Sequence, residues 1–97
     1  MRDFILLMHN DAVEKPAPEL WLLYFSFLRE RGVFDGGSSI GPGEVFRRRE
    51  TPDNPSDHLA GYIRVQAENM TAARELLAGN PVFECGGSVE IRELPRG

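Results

Sequence analysis

Side chains able to carry a proton near neutral pH are few in this chain: His9, His58 and one thiol, Cys85. An unperturbed imidazole titrates near ~6.5, so two histidines with Asp11 and Asp57 close by in sequence have the parts for general acid–base work. His9 follows an apolar run, "FILLM" (Phe4 to Met8), and His58 stands just before an alternating run, "GYIRV" (Gly61 to Val65), so both fall at strand boundaries. Their separation of 49 positions matches no metal-ligand spacing, and neither a metal nor a cofactor is expected. Histidines at strand ends more commonly cap or pack, yet these two are the best catalytic candidates. Anion binding has its own candidates in Arg47, Tyr62 and Arg64, because a guanidinium fork pairs well with carboxylates. The run Arg47 to Arg49 has an ordinary reading as charge protecting an edge strand. Cys85 has no histidine beside it in sequence and is followed by Gly86 and Gly87, which reads as a turn and not as an activated nucleophile.

Composition narrows the classes. Lys and Arg number 11 against 15 Asp and Glu, a net charge of −4, which opposes the electrostatic footprint of a nucleic-acid binder. The longest helix-type apolar run, "LWLLYF" (Leu20 to Phe25), is far short of the ~20 residues of a membrane span, so no membrane partner is expected. Met1 to Met8 has neither the basic leader nor the cleavage pattern of a signal peptide, and a lone cysteine forms no internal disulfide. A cytoplasmic location is the expectation. With 97 residues and 41% hydrophobic side chains, the chain has material for one modest core, and residues 1–97 read as a single domain.

The elements that position these side chains follow from periodicity. Phe4 to Met8 has the length of a strand buried on both faces. Pro18 to Arg31 reads as a helix, with Pro18 in the first turn, Glu19 at the positive end of the dipole and Gly32 as the stop. Trp21, Tyr24, Phe25 and Leu28 form its core face, and Leu20, Leu23 and Phe27 make a second apolar stripe. Val33 to Asp35 suggests a short strand, "GGSSIGPG" (Gly36 to Gly43) a turn, and "EVFRRR" (Glu44 to Arg49) an edge strand. The glycine-rich segment lacks the Lys and Ser or Thr of a P-loop. A half-polar strand follows at Gly61 to Val65, then a helix capped by Asn69 and ended by Gly79, Asn80 and Pro81, then a final strand in "SVEIREL" (Ser88 to Leu94).

That order predicts an α+β, ferredoxin-like, antiparallel-rich sheet with two helices on one face. The opposite face is too apolar along Phe4 to Met8 to stay wet, so a homodimer is expected, two sheets closing as a dimeric α+β barrel. A higher oligomer through Leu20, Leu23 and Phe27 is a further option. Alternation aims Tyr62, Arg64, Glu90 and Arg92 into the space between the sheets, with Arg64 expected to pair with Glu90 until a ligand carboxylate replaces it.

The chain resembles the YCII-related family, which includes proteins named for a DGPF motif. The likeness lies in "FILLMHND", "RERGVFDGGSSIGPG", "HLAGYIRVQAENMTAARELLAGNP" and "VFECGGSVEIRELP", and extends over essentially the whole chain. The resemblance implies the dimeric α+β barrel, and lyase or isomerase chemistry on small lactones among relatives. Enzyme-like members carry a histidine at the start of the first helix and an aspartate just before the proline after the second. Here Pro18 or Glu19 stands at the first position and Asn80 at the second, and the loop Thr51 to His58 replaces the DGPF tetrad. Two expectations follow. One is a binding protein or weak enzyme for a small anionic carboxylate or lactone, with His9 and His58 as proton carriers and Arg47, Tyr62, Arg64 and Glu90 around the ligand. The other is a non-catalytic dimeric module, structural or regulatory, that lacks the family's His–Asp pair.

Overall fold

Alternation along the strands decides which side chains meet the helices. The computed structural model describes residues 1–96, in the order β1 (Arg2–His9), α1 (Pro18–Glu30), β2 (Phe34–Ser39), β3 (Leu59–Ala67), α2 (Met70–Glu75), α3 (Pro81–Glu84) and β4 (Val89–Leu94). The strands form one open antiparallel sheet in the order β2-β3-β1-β4, an α+β arrangement compatible with a ferredoxin-like fold. Phe4, Leu6 and Met8 on β1 lie opposite Val65, Ile63 and Gly61 on β3 and are buried beneath the helices. Tyr24 and Leu28 of α1, Ala73 of α2, Leu76 and Leu77 after it, and Val82 of α3 complete that core. Ile5 and Leu7 take the other face and are half-buried, so β1 is fully covered on one side.

Helix α1 starts at Pro18, whose missing N–H is no loss in the first turn. It ends in a Schellman motif: Gly32 N–H donates to Arg29 O at 2.9 Å and Val33 N–H to Leu28 O at 3.2 Å, while Gly32 takes the left-handed φ of 68° that this turn demands. The next element differs from the sequence reading. Strand β2 extends through Gly36 to Ser39 instead of ending at Asp35, because Gly37 comes so close to β3 that a Cβ there would sit 2.5 Å from Tyr62 O. A bulge between Phe34 and Gly37 absorbs the misfit. The edge strand expected at Glu44 to Arg49 does not form; residues 40–58 make one long exposed segment between β2 and β3.

Asn69 caps α2 as expected, its side chain accepting from Ala72 N–H at 2.9 Å. Asn80 and Pro81 do not simply stop that helix. They begin α3, with Asn80 Oδ1 accepting from Phe83 N–H at 3.1 Å and Pro81 in the first turn, so three helices contribute to the core instead of two.

Candidate functional site

The two histidines meet. β1 ends at His9 with an irregularity in its pairing to β3, and Asn10 N–H donates to His58 O at 2.8 Å. Asn10 Nδ2 also donates to Asp57 O at 2.7 Å, pinning the segment that brings His58 in. The His9 and His58 rings are 4.9 Å apart between centroids, edge to face at 79°. His9 Nε2 lies 3.3 Å from Glu90 Oε1, and an ionised carboxylate only accepts, so Nε2 carries the hydrogen. In the neutral ring that leaves Nδ1 as an acceptor, an arrangement in which a carboxylate orients an imidazole for proton transfer. Glu90 Oε2 accepts from Arg92 Nη1 at 3.0 Å. The Arg92 bond first, and that of His9 second, hold the Glu90 carboxyl below the usual carboxylate range, so it is charged at neutral pH.

The register orders the rest of this helix-free face. Tyr62 and Glu90 both lie opposite Leu7, and Arg64 and Arg92 both lie opposite Ile5. Tyr62 therefore joins the row of Glu90, beside the histidines. The expected Arg64–Glu90 pair is corrected: β1 separates the two strands, and Arg64 Nη2 instead reaches Asp35 Oδ2 on β2 at 3.0 Å, half exposed. Arg92, two residues along the same strand and on the same face, takes the place beside Glu90. Arg47 does not join the group. It lies in segment 40–58, with Glu50 at 3.7 Å and Asp53 at 3.8 Å. Among the described residues no three His, Cys, Asp or Glu side chains come together as metal ligands, and no helix is long and apolar enough to cross a membrane.

On the other side of the sheet lies a cleft of about 340 Å³, walled by Trp21 and Phe25 of α1, Met8, Ile63 and Val82, with Gly37 to Ser39 and Ala60 to Tyr62 at its β2–β3 side. The Trp21 and Phe25 rings stack at 5.8 Å. An aromatic pair at i, i+4 reads as core in a sequence, and only the glycines opposite hint that the space stays open. Asn80 lies next to this region, fully buried, with Nδ2 donating to Met8 Sδ at 3.8 Å. Its amide is engaged on both sides. Tyr24 is buried alongside, its hydroxyl donating to Leu76 O at 2.7 Å, and burial pushes that phenol up. Cys85 closes α3 and contributes its carbonyl, which accepts from Val13 N–H at 2.9 Å and Glu14 N–H at 3.3 Å. No protein-family model matches the chain, and no curated protein matches it.

Proposed function

We propose that this protein is a YCII-like small-molecule-binding protein that acts on a small carboxylate or lactone, with His9 and His58 as proton carriers in a lyase- or isomerase-type step. The observation that carries this reading is the His9–His58–Glu90 cluster on the helix-free face, where two residues 49 positions apart in sequence are in ring contact beside a charged carboxylate. Glu90 orients His9 through its contact with Nε2. His58 passes the proton to or from ligand, and Tyr62 bounds the site. Arg64 and Arg92, each now paired with a carboxylate, exchange that partner for the ligand's own. A second copy packed sheet to sheet, as in a dimeric α+β barrel, covers Ile5 and Leu7 and excludes water from the site.

The test is a thermal-shift screen of small carboxylates and lactones, followed by proton exchange of any hit in D2O monitored by NMR. A ligand at 100 times its Kd stabilises the native state by about 2.7 kcal/mol, roughly 10–20 °C for a domain of this size. Exchange catalysed by the wild type is expected to fall at least 100-fold in His9→Gln and His58→Gln. Hits whose binding and exchange are indifferent to both substitutions would overturn the assignment. One observation favours the second reading, a non-catalytic dimeric module: Asn80, at the position of the family's aspartate, is consumed in capping α3. That reading gains if sedimentation finds a dimer and no compound in the screen binds.

A further inference from the structure

The outer strands of the sheet, β2 and β4, leave open edges of different character. β2 is broken by the bulge between Phe34 and Gly37 and by the left-handed φ of 91° at Gly36, and Pro42 follows it closely, all devices that keep an edge from pairing. β4 has none of them. Its six residues hold an unshifted register against β1 and include neither glycine nor proline. Which of its backbone groups face outward follows from the ladder. His9 lies opposite Ser88 by continuation of the β1–β4 register, and His9 N–H donates to Ser88 O at 2.9 Å, as in a hydrogen-bonded pair. Such pairs recur at every second residue, so Glu90, Arg92 and Leu94 turn their N–H and C=O toward β1, while Val89, Ile91 and Glu93 turn theirs to the open edge. The far side of the sheet agrees. Gln66 N–H donates to Val33 O at 2.9 Å and Ile40 N–H to Ala60 O at 3.0 Å, so the even-numbered residues of β3 face β2, as the same alternation carried across β1 requires. Among the described residues, nothing bonds the outward groups of Val89, Ile91 and Glu93.

A second β4 brought antiparallel to this edge about a two-fold axis must match outward groups with outward groups. Axes through Glu90, Ile91 or Arg92 meet that condition near the middle of the strand. An axis at Glu90 sets Glu90 against its own copy, and one at Arg92 sets Arg92 against its own copy; like charges directly opposite are destabilising. An axis at Ile91 sets Glu90 against Arg92 twice, in the closer, non-hydrogen-bonded pairs, with both side chains on the helix-free face. Both are reachable there, their side chains 37% and 68% exposed. Ile91 meets its copy on the helix side, where it and Val89 are half-buried against the core, and Glu93 falls opposite Val89 while keeping Arg2 at 3.7 Å. We infer that β4 pairs with the β4 of a second copy of this chain in the Ile91 register, so that two sheets run on as one. Glu90 and Arg92 of each chain then close a ring of alternating charge about the axis. The second copy's Arg92 stands beside Glu90, and through it a neighbouring chain contributes a cation to the surroundings of His9. The contact uses the sheet's edge, so it is separate from the sheet-to-sheet packing proposed above and does not depend on what the histidines do.

Exchanging charge between chains tests this register. In Glu90→Arg protein an arginine opposes Arg92 across the axis, and in Arg92→Glu protein a glutamate opposes Glu90. Each variant alone is expected to associate at least about tenfold more weakly than the wild type in sedimentation velocity. Mixed in equal amounts, the two set arginine against glutamate at both positions and should recover the wild-type size. Mixing alters no contact within either chain, so the recovery can come only from pairing between chains. A second measurement leaves the charges of the ring in place. In a Cys85→Ser background, Ile91→Cys should form a disulfide between copies under mild oxidation, because hydrogen-bonded partners of antiparallel strands have Cα atoms about 5.5 Å apart, within disulfide range. Glu93→Cys, about 14 Å from its copy in this register, should not. Wild type that sediments as the single variants do would overturn the inference. So would a mixture that stays at the size of the single variants, or cross-linking at position 93 in preference to 91.

Discussion

Asn80→Asp puts a carboxyl at a fully buried position of the core, and the structure fixes what that costs. Asn80 is fully buried and is the buried polar residue of the core among the described residues, so no base is at hand to pair with an anion. The aspartate keeps the cap on Phe83 N–H but loses the donor to Met8 Sδ. Full burial can raise a carboxyl by about 3–5 pH units, each worth about 1.36 kcal/mol, and the retained cap bond offsets part of this. A loss of about 2–4 kcal/mol at pH 8 is expected, a large share of the roughly 5–15 kcal/mol that holds a small domain together. The sign of the pH dependence follows from burial. A carboxyl whose folded pKa is raised favours the protonated form in the folded state, so the variant stands nearest the wild type below about pH 4 and loses stability as pH rises toward the folded value. Urea unfolding at pH 4 and pH 8 measures this directly. A deficit that is the same at both pH values, or no deficit at pH 8, would show that the site is not the dry, base-free pocket described.

Tyr24→Phe leaves the Leu76 carbonyl without its buried donor and is expected to cost about 1–2 kcal/mol, read as a fall in Tm of roughly 4–15 °C. Asp11 accepts from Ser88 N–H at 2.8 Å and from Ser88 Oγ at 2.6 Å, and the hydroxyl's bond, with the backbone bond second, holds its carboxyl below the usual range. Its contribution is therefore complete above about pH 4 and fades as pH falls through the lowered folded value; the gap between wild type and Asp11→Asn in denaturation midpoint should narrow with acidification, and a pH-independent gap would contradict this. Cys85→Ser should leave the melting curve within about 0.5 kcal/mol of the wild type, since Cys85 acts through its backbone carbonyl.

What the sequence made legible is what period and caps control. Alternation placed Tyr62, Arg64, Glu90 and Arg92 on the helix-free face, and Asn69 capped its helix, because these depend on neighbours one to three residues away. The meeting of His9 and His58 is legible to the extent that the sequence places both at strand ends. Partner choice across the sheet was not legible in the same way: whether Glu90 pairs with Arg64 or Arg92 depends on β1 lying between β3 and β4, which parity alone does not say. Gly37 reads as part of a turn because its reason for being glycine, the close approach of β3, belongs to another part of the chain, while Gly36 takes a left-handed φ of 91° within the bulge. Asn80 and Pro81 read as a stop although the same pair is a cap and first turn, because such signals both end one helix and begin the next. Glu44 to Arg49 read as an edge strand from their charges, and nothing local marks the lack of a strand to pair with.

The strand order also sets a timetable. β1 sits in the middle of the sheet and pairs only with β3 and β4, neither of which follows it closely in the chain. During synthesis at about 5–20 residues per second, the roughly 50 positions between His9 and Leu59 amount to several seconds in which Phe4, Leu6 and Met8 have been made and have no strand to lie against. α1, formed from nearby residues, is the first element available to shelter them, through Tyr24 and Leu28. Substitutions on that side of α1 should therefore lower the yield of folded protein during expression by more than they lower the stability of the finished molecule.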